Sequence, residues 1–246
     1  MWPEPFDPRR AARRAVQAAE EAVAGKLLGA TLYGSAASGE FHPAHSDVNL
    51  AFVFSALGAM ELTALHRAYP TWRRCRVVRP LLLSEESFRR SLDSYPLEYL
   101  LIQHRRETLA GRDYFEELAL DRGGLRLEVE RVLRAQELGL GLSYVALAGT
   151  RGGARQWALQ ASSSIAASAS GLLHLAGETI PGTKRELAER CAARFGVESE
   201  AFVRLLTVRE RSRERMDAVQ LLDSAQKILN GLLESADRMP GPPMQP

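Results

Sequence analysis

The sequence predicts an α+β half followed by an all-helical half. Three observations predict it. Strand-like and helix-like segments alternate up to about residue 120, and beyond Asp121 every patterned segment has helical period with no strand-like alternation. The chain then closes on a Pro-rich stretch, Pro240-Gly-Pro-Pro-Met-Gln-Pro246, that cannot continue a helix. The expected domains are therefore 1–120, 121–239 for a helical bundle, and a disordered tail over 240–246.

The first predicted element is a helix from Arg9 to Leu28, with Ala15, Ala18, Ala19, Ala22, Val23 and Leu27 on one stripe and Asp7-Pro8 as cap and first turn. Ala30–Tyr33 reads as a short strand. A polar loop from Gly34 to Ser46 leads to an alternating strand, Val48 to Phe54, making a hairpin-like pair with a long connection. A helix from Gly58 to Tyr69 is expected to stop at Pro70, and Arg74 to Leu83 reads as a strand rich in Val and Leu. Ser84 caps a short helix with acids in its first turn, and Leu97 to Leu109, ending at Gly111, reads as an extended or mixed element.

In the second half, helices are expected over Leu125–Ala148 and Gln156–Leu175, then from a capping box at Thr183 and Glu186 to Phe195, and from Glu200 to Met239. The small-residue run Ala161–Ser170 lies between Trp157 and Leu172, which fits a helix packed closely against a neighbour. His174 is a lone histidine in that run and reads as a core or boundary residue. The alternating signs of Arg209 to Arg215 read as a solvated helix face.

Composition narrows the class. In 246 residues, 46% are hydrophobic and 25% charged, as in a globular chain, and 32 Lys+Arg against 30 Asp+Glu leave a net charge of +2. Neither half has the basic excess of a dedicated nucleic-acid binder. Cys75 and Cys191 make neither a zinc spacing nor a disulfide framework, so a reduced setting is expected. No apolar run reaches the roughly 20 residues that span a bilayer, and the N-terminus lacks the apolar core of a signal peptide, so the expected location is the cytoplasm.

The stretch that carries chemistry is Leu32-Tyr33-Gly34-Ser35-Ala36-Ala37-Ser38-Gly39, followed by Ser46-Asp47-Val48-Asn49-Leu50. Gly34 lets a ligand approach the backbone closely at the end of a strand, and Ser35 offers a hydroxyl and an N–H. Strand alternation places Asp47 and Asn49 on one face, away from Val48, Leu50, Phe52 and Phe54. Two oxygen-bearing side chains thus converge beside a phosphate-binding turn.

These residues resemble the nucleotidyltransferase superfamily of DNA polymerase beta, kanamycin nucleotidyltransferase and the minimal bacterial nucleotidyltransferases, over about residues 28 to 54 and by element order to about 115. The resemblance implies a mixed sheet with flanking helices. It also implies that Gly34 and Ser35 bind the phosphates of an NTP, and that Asp47 and Asn49 stand at the Mg²⁺ positions. Glu98, with Asp93 behind it, stands by element order where active members carry a third acid as the base for an acceptor hydroxyl.

Two positions depart from the pattern: Ser38 replaces a frequent Arg, and Asn49 replaces the second acid. The Asn removes a full negative charge from a site that must hold a hard divalent cation. The Ser-Asp-x-Asn form looks like a bacterial offshoot described as nucleotidyltransferase-like. Two readings follow: transfer of a nucleoside monophosphate from Mg–NTP to an unidentified acceptor, weakened to nucleotide binding, or a non-catalytic scaffold with a helical dimerisation or partner-binding domain.

His42 and His45, lacking a partner at ligand spacing, read as solvent-facing. Arg73, Arg74, Arg76 and Arg79, with His104, Arg105 and Arg106, form a basic set that suits either an anion or a charged edge strand. None of the five histidines follows an Arg at the spacing of the HEPN ribonucleases, so a nuclease role for the helical half fails on its motif. A homodimer is compatible with an Arg-rich surface and an open helical domain.

Overall fold

The computed structural model describes residues 6–43, 46–147, 153–208 and 217–239. It divides into two compact units, one of Met1–Ser94 with Tyr99–Ala119 and one of Tyr95–Glu98 with Leu120–Pro246.

The first unit holds α1 (Pro8–Ala22), β1 (Leu27–Tyr33), α2 (Ser35–Ser38), β2 (Asn49–Phe54), α3 (Ala59–Leu65), α4 (Tyr69–Arg74), β3 (Leu81–Ser84) and α5 (Glu85–Arg90). β4 (Arg106–Gly111) completes it, and α6 (Pro96–His104) contributes all but its first turn. The sheet order is β3-β2-β1-β4, with β1 antiparallel to β2 and β4, and β2 parallel to β3. A parallel neighbour needs a crossover, and α3 and α4 provide it between β2 and β3.

The core lies between α1 and one face of the sheet, where Ala12, Ala15, Val16 and Ala19 meet Leu32, Leu50, Phe52 and Phe54. Trp72 of α4 stacks on Phe52 at 5.5 Å, and its Nε1 donates to the Ala15 carbonyl at 2.9 Å. A buried Trp is thereby satisfied by the backbone of α1. Phe88, Tyr99 and Phe115 form a second aromatic cluster, with centroids 5.3–5.7 Å apart.

Asp7 caps α1 as expected, its Oδ1 accepting from the Arg9 and Arg10 amides at 2.9 and 3.2 Å. Ser84 caps α5, accepting from Ser87 N at 3.0 Å. Several expectations are corrected. α1 ends at Ala22, because Gly25 turns the chain through a left-handed φ of 75° and frees Leu27 and Leu28 to begin β1. Pro70 opens α4 instead of ending a helix, since the first helical turn has no intrahelical use for the missing N–H.

The strand expected over Arg74–Leu83 shrinks to Leu81–Ser84. Arg74 ends α4 and Arg76 is left-handed at φ 58°, so no extended alternation puts Arg74 and Arg76 on one face. The mixed segment resolves into α6 followed by β4.

The second unit contains α7 (Arg122–Leu147), α8 (Gly153–Leu175), α9 (Lys184–Phe195), α10 (Ser199–Leu206) and α11 (Ala218–Arg238), with the first turn of α6. Leu125, Val129 and Leu133 of α7 are buried, as are Ile165 and Leu172 of α8 and Leu222, Ile228 and Leu232 of α11. The small residues of α8 do permit close packing: a Cβ on Gly171 would stand 2.7 Å from Val129 Cγ2. Thr183 accepts from Glu186 N at 3.2 Å, and Gly196 ends α9 with a left-handed φ of 72°.

His174 is half-buried, and burial followed by the Arg122 charge lowers its pKa. The last helical stretch is two helices, capped by Glu198 and Asp217. The Arg209–Arg215 run and the tail 240–246 lie outside the described residues. Both cysteines are buried free thiols, and no described helix is long and apolar enough to cross a membrane.

Two measurements test this packing. Ser168 Oγ is buried without a partner, whereas Ser170 Oγ donates to the Ala166 carbonyl at 2.9 Å. Ser168→Ala is therefore expected to leave the thermal midpoint unchanged or raise it, by at most about 1 kcal/mol, and Ser170→Ala to lower it. Glu61 bonds Lys26 Nζ at 2.5 Å and Gly58 N at 2.8 Å, and these bonds, Lys26 foremost, hold its pKa at about 2. A depressed carboxylate stabilises the fold above its unfolded pKa and loses that contribution as pH falls, here from about 4.5 toward 2. Glu61→Gln should flatten the acid limb of a melting-temperature profile across that window; an unchanged limb would refute the assignment.

Candidate functional site

The site begins where β1 ends. Gly34 has φ 73° and ψ −147°, a conformation that disfavours any residue with a Cβ, and its N–H donates to the Arg105 carbonyl at 3.1 Å. The chain then turns into α2, where the Ala37 and Ser38 amides donate to the Gly34 carbonyl at 3.1 and 3.0 Å. Ser35, the first residue of α2, is half-buried.

The second half of the motif enters from β2. Val48 is buried and its N–H donates to the Arg76 carbonyl at 3.0 Å, while Asp47 before it is exposed and Asn49 after it is half-buried. Alternation places Asp47 and Asn49 on the side opposite Val48 and Leu50. Asn49 pairs with Tyr33 in the ladder, which brings its side chain against the turn: a Cβ on Gly34 would lie 3.0 Å from Asn49 Nδ2. The two sequence segments, 15 residues apart, thus meet at one end of the two central strands.

The loop between them is closed locally. Ser46 Oγ accepts from His42 N at 3.0 Å, and Ser46 N donates to the His42 carbonyl at 2.9 Å. Arg76 donates to the Pro43 carbonyl and lies 4.4 Å over the Phe6 ring. His42 is exposed, and His45 lies outside the described residues.

Glu98 lies in the first turn of α6, exposed, in the part of that helix that groups with the helical unit. It is on a helix and not on a strand, because Pro96 at the first position pre-sets helical backbone. Asp93 is exposed and accepts from Ser94 Oγ at 3.1 Å. No group of three His, Cys, Asp or Glu among the described residues is placed to hold a metal ion.

Two members of the basic set of the sequence are committed to ion pairs. Arg105 pairs with Glu40 at 3.0 Å, and Arg106 with Asp113 at 2.7 Å. Burial opposes the Asp113 charge, but Arg106 and the Phe115 amide outweigh it and hold its pKa below the usual value. Sequence reasoning missed Arg9 and Glu107. Arg9 Nε donates to Glu107 at 2.7 Å, and its Nη2 reaches the Ala37 carbonyl of α2 at 3.4 Å. Glu107 pairs in the ladder with buried Leu32, so it faces α1, on the side of the sheet away from Asn49. No local signal could find a pair 98 residues apart.

No protein-family model matches the chain, and no curated protein matches it. Among solved structures it is similar to the spectinomycin adenyltransferase of Enterococcus faecialis, crystallised with ATP and spectinomycin. The TM-score is 0.57 at 13% identity, covering 94% of this chain and 99% of that one. The fold is nucleotidyltransferase-like. At that identity the likeness extends to the α+β architecture with its helical C-terminal region, and residue roles rest on this chain's own geometry.

Gly34→Ala introduces a Cβ at a left-handed φ and against the Asn49 amide. The variant is expected to lose about 1–2 kcal/mol in denaturant melts. Gly39→Ala, also left-handed but in open space, should show the backbone penalty alone and lose less.

Proposed function

We propose that the protein binds a nucleoside triphosphate at the Gly34–Ser35 turn and is a nucleotidyltransferase-like protein of weakened catalysis. The observation that carries this is the abutment of Gly34 and Asn49, which puts a side-chain-free turn beside the Asp47-x-Asn49 strand. An ATP complex of the similar adenyltransferase supports the choice of ligand class. Gly34 admits the phosphates to the backbone, Ser35 offers them its hydroxyl and N–H, and Asp47 carries an exposed carboxylate at the same end of the sheet.

The donor set of Asp47 and Asn49 fits a Mg²⁺ that arrives with the nucleotide. One carboxylate and one amide carbonyl form a sparse protein shell, and Mg²⁺ commonly takes one or two carboxylates together with substrate phosphates. Bound there, the ion supplies charge neutralisation for phosphoryl chemistry. Asn49 lowers that contribution by one negative charge. Glu98 is the proposed base for an acceptor hydroxyl, its carboxylate exposed in the first turn of α6.

The second reading, a non-catalytic scaffold on the same fold, is favoured by the uncharged Asn49.

Isothermal titration of ATP, GTP, CTP and UTP with Mg²⁺ separates the readings. Wild type is expected to bind at least one nucleotide, and Asn49→Asp to bind it roughly tenfold or more tightly with Mg²⁺ but not with EDTA, a single restored charge at a metal site being worth about 1–3 kcal/mol. No heat with either protein would overturn nucleotide binding and leave the scaffold. Release of pyrophosphate by Asn49→Asp that disappears in Asn49→Asp/Glu98→Gln would support the base assignment.

A further inference from the structure

Near-zero net charge hides an asymmetry on the first unit. The first two turns of α1 carry Arg9, Arg10, Arg13 and Arg14 with no acid in the first turn. Cations at a helix N-terminus oppose the macrodipole, so their accumulation there calls for another interaction. Arg9 and Arg13 find one in Glu107, at 2.7 and 3.7 Å. Arg14 has no carboxylate partner among the described residues.

α4 adds to the same surface. It is held to α1 by the bond from Trp72 Nε1 to the Ala15 carbonyl, and its last turn carries Arg73 and Arg74, both exposed. Arg74 donates to Thr71 Oγ1 at 3.3 Å, and neither Arg73 nor Arg74 has an acidic partner among the described residues. Arg14 immediately precedes Ala15, and Arg73 and Arg74 immediately follow Trp72, so the three arginines flank the bond that joins the two helices. Tyr69, one turn before Arg73, is 45% exposed. Large aliphatic side chains are absent from the exposed faces of α1 and α4 among the described residues.

We propose that the α1–α4 surface centred on Arg14, Arg73 and Arg74 docks single-stranded RNA, with phosphates on the guanidinium groups and a base stacked on Tyr69. Arginine is the cation suited to bidentate phosphate contacts, and an exposed aromatic beside it is the usual stacking platform for unpaired bases. A membrane surface would need exposed aliphatic anchors that these two faces lack. The surface is on the α1 side of the sheet, opposite Asn49, so it does not depend on nucleotide binding at Gly34.

The test is fluorescence anisotropy of a labelled uridine oligonucleotide over roughly 50–200 mM salt. Wild type is expected to bind with a steep salt dependence. Arg14→Gln/Arg73→Gln/Arg74→Gln should weaken binding about tenfold or more and reduce the log–log salt slope by about 2, as three lost phosphate contacts require. Tyr69→Ala should weaken binding without changing the slope. Saturating Mg–ATP should leave binding unchanged, which keeps this result separate from that of the nucleotide site.

Should the triple variant fail to fold, Arg73→Glu at its exposed position reads the same effect. Absence of binding by wild type at low salt, or equal binding by the variants, overturns the proposal. So does equal affinity for duplex DNA, or capture by phosphatidylserine vesicles without RNA binding.

Discussion

The antiparallel register of β1 and β2 is the constraint on which the first unit depends. Tyr33 stands opposite Asn49 and Leu32 opposite Leu50, so the strand that ends in the Gly34 turn is locked beside the strand that begins after Asp47. Leu50 to Phe54 are all buried, which leaves no freedom to slip. A shift by one residue would move Leu50, Phe52 and Phe54 out of the α1-facing core and bring Asn49 into it. Burial of aliphatic and aromatic surface therefore positions a polar site that contributes little to stability itself.

That arrangement separates two kinds of charge. Ion pairs such as Arg105–Glu40 and Arg9–Glu107 lie around α2, where they tie the turn to β4 and α1. Partly exposed pairs of this sort add little stability individually, and their effect is to fix where the turn lies. Asp47, by contrast, is exposed, and Asn49 meets Gly34 through its amide. This end of the sheet presents one carboxylate where a two-metal phosphoryl site relies on several, and this difference of a single charge bears on chemistry more than the whole chain's +2 does.

Much of the local structure was legible in the sequence because it depends on neighbours in the chain. Asp7, Ser84 and Thr183 cap helices as their residue types demand. Gly34 takes the left-handed turn after a strand, and small residues in α8 mark a tight helix contact at Gly171. The misreadings have equally local causes. Pro70 carries the same missing N–H at the start of a helix as at its end, and only the packing of Trp72 on Phe52 selects the start. The Arg74–Leu83 segment alternates like a strand, yet its first residues end α4 because Trp72 and Cys75 are buried one helical turn apart.

By itself the sequence determined the α+β class, the Gly34–Ser35 and Asp47–Asn49 segments and the charge missing at position 49, since each is a property of residue type and short-range spacing. Tertiary structure alone decided that Asn49 lies against Gly34, that Glu107 faces α1 and that Trp72 of α4 bonds the Ala15 carbonyl of α1. Those outcomes follow from strand register and helix packing between residues up to 98 positions apart. Hydrophobic burial makes such choices globally, and no short window of sequence encodes them.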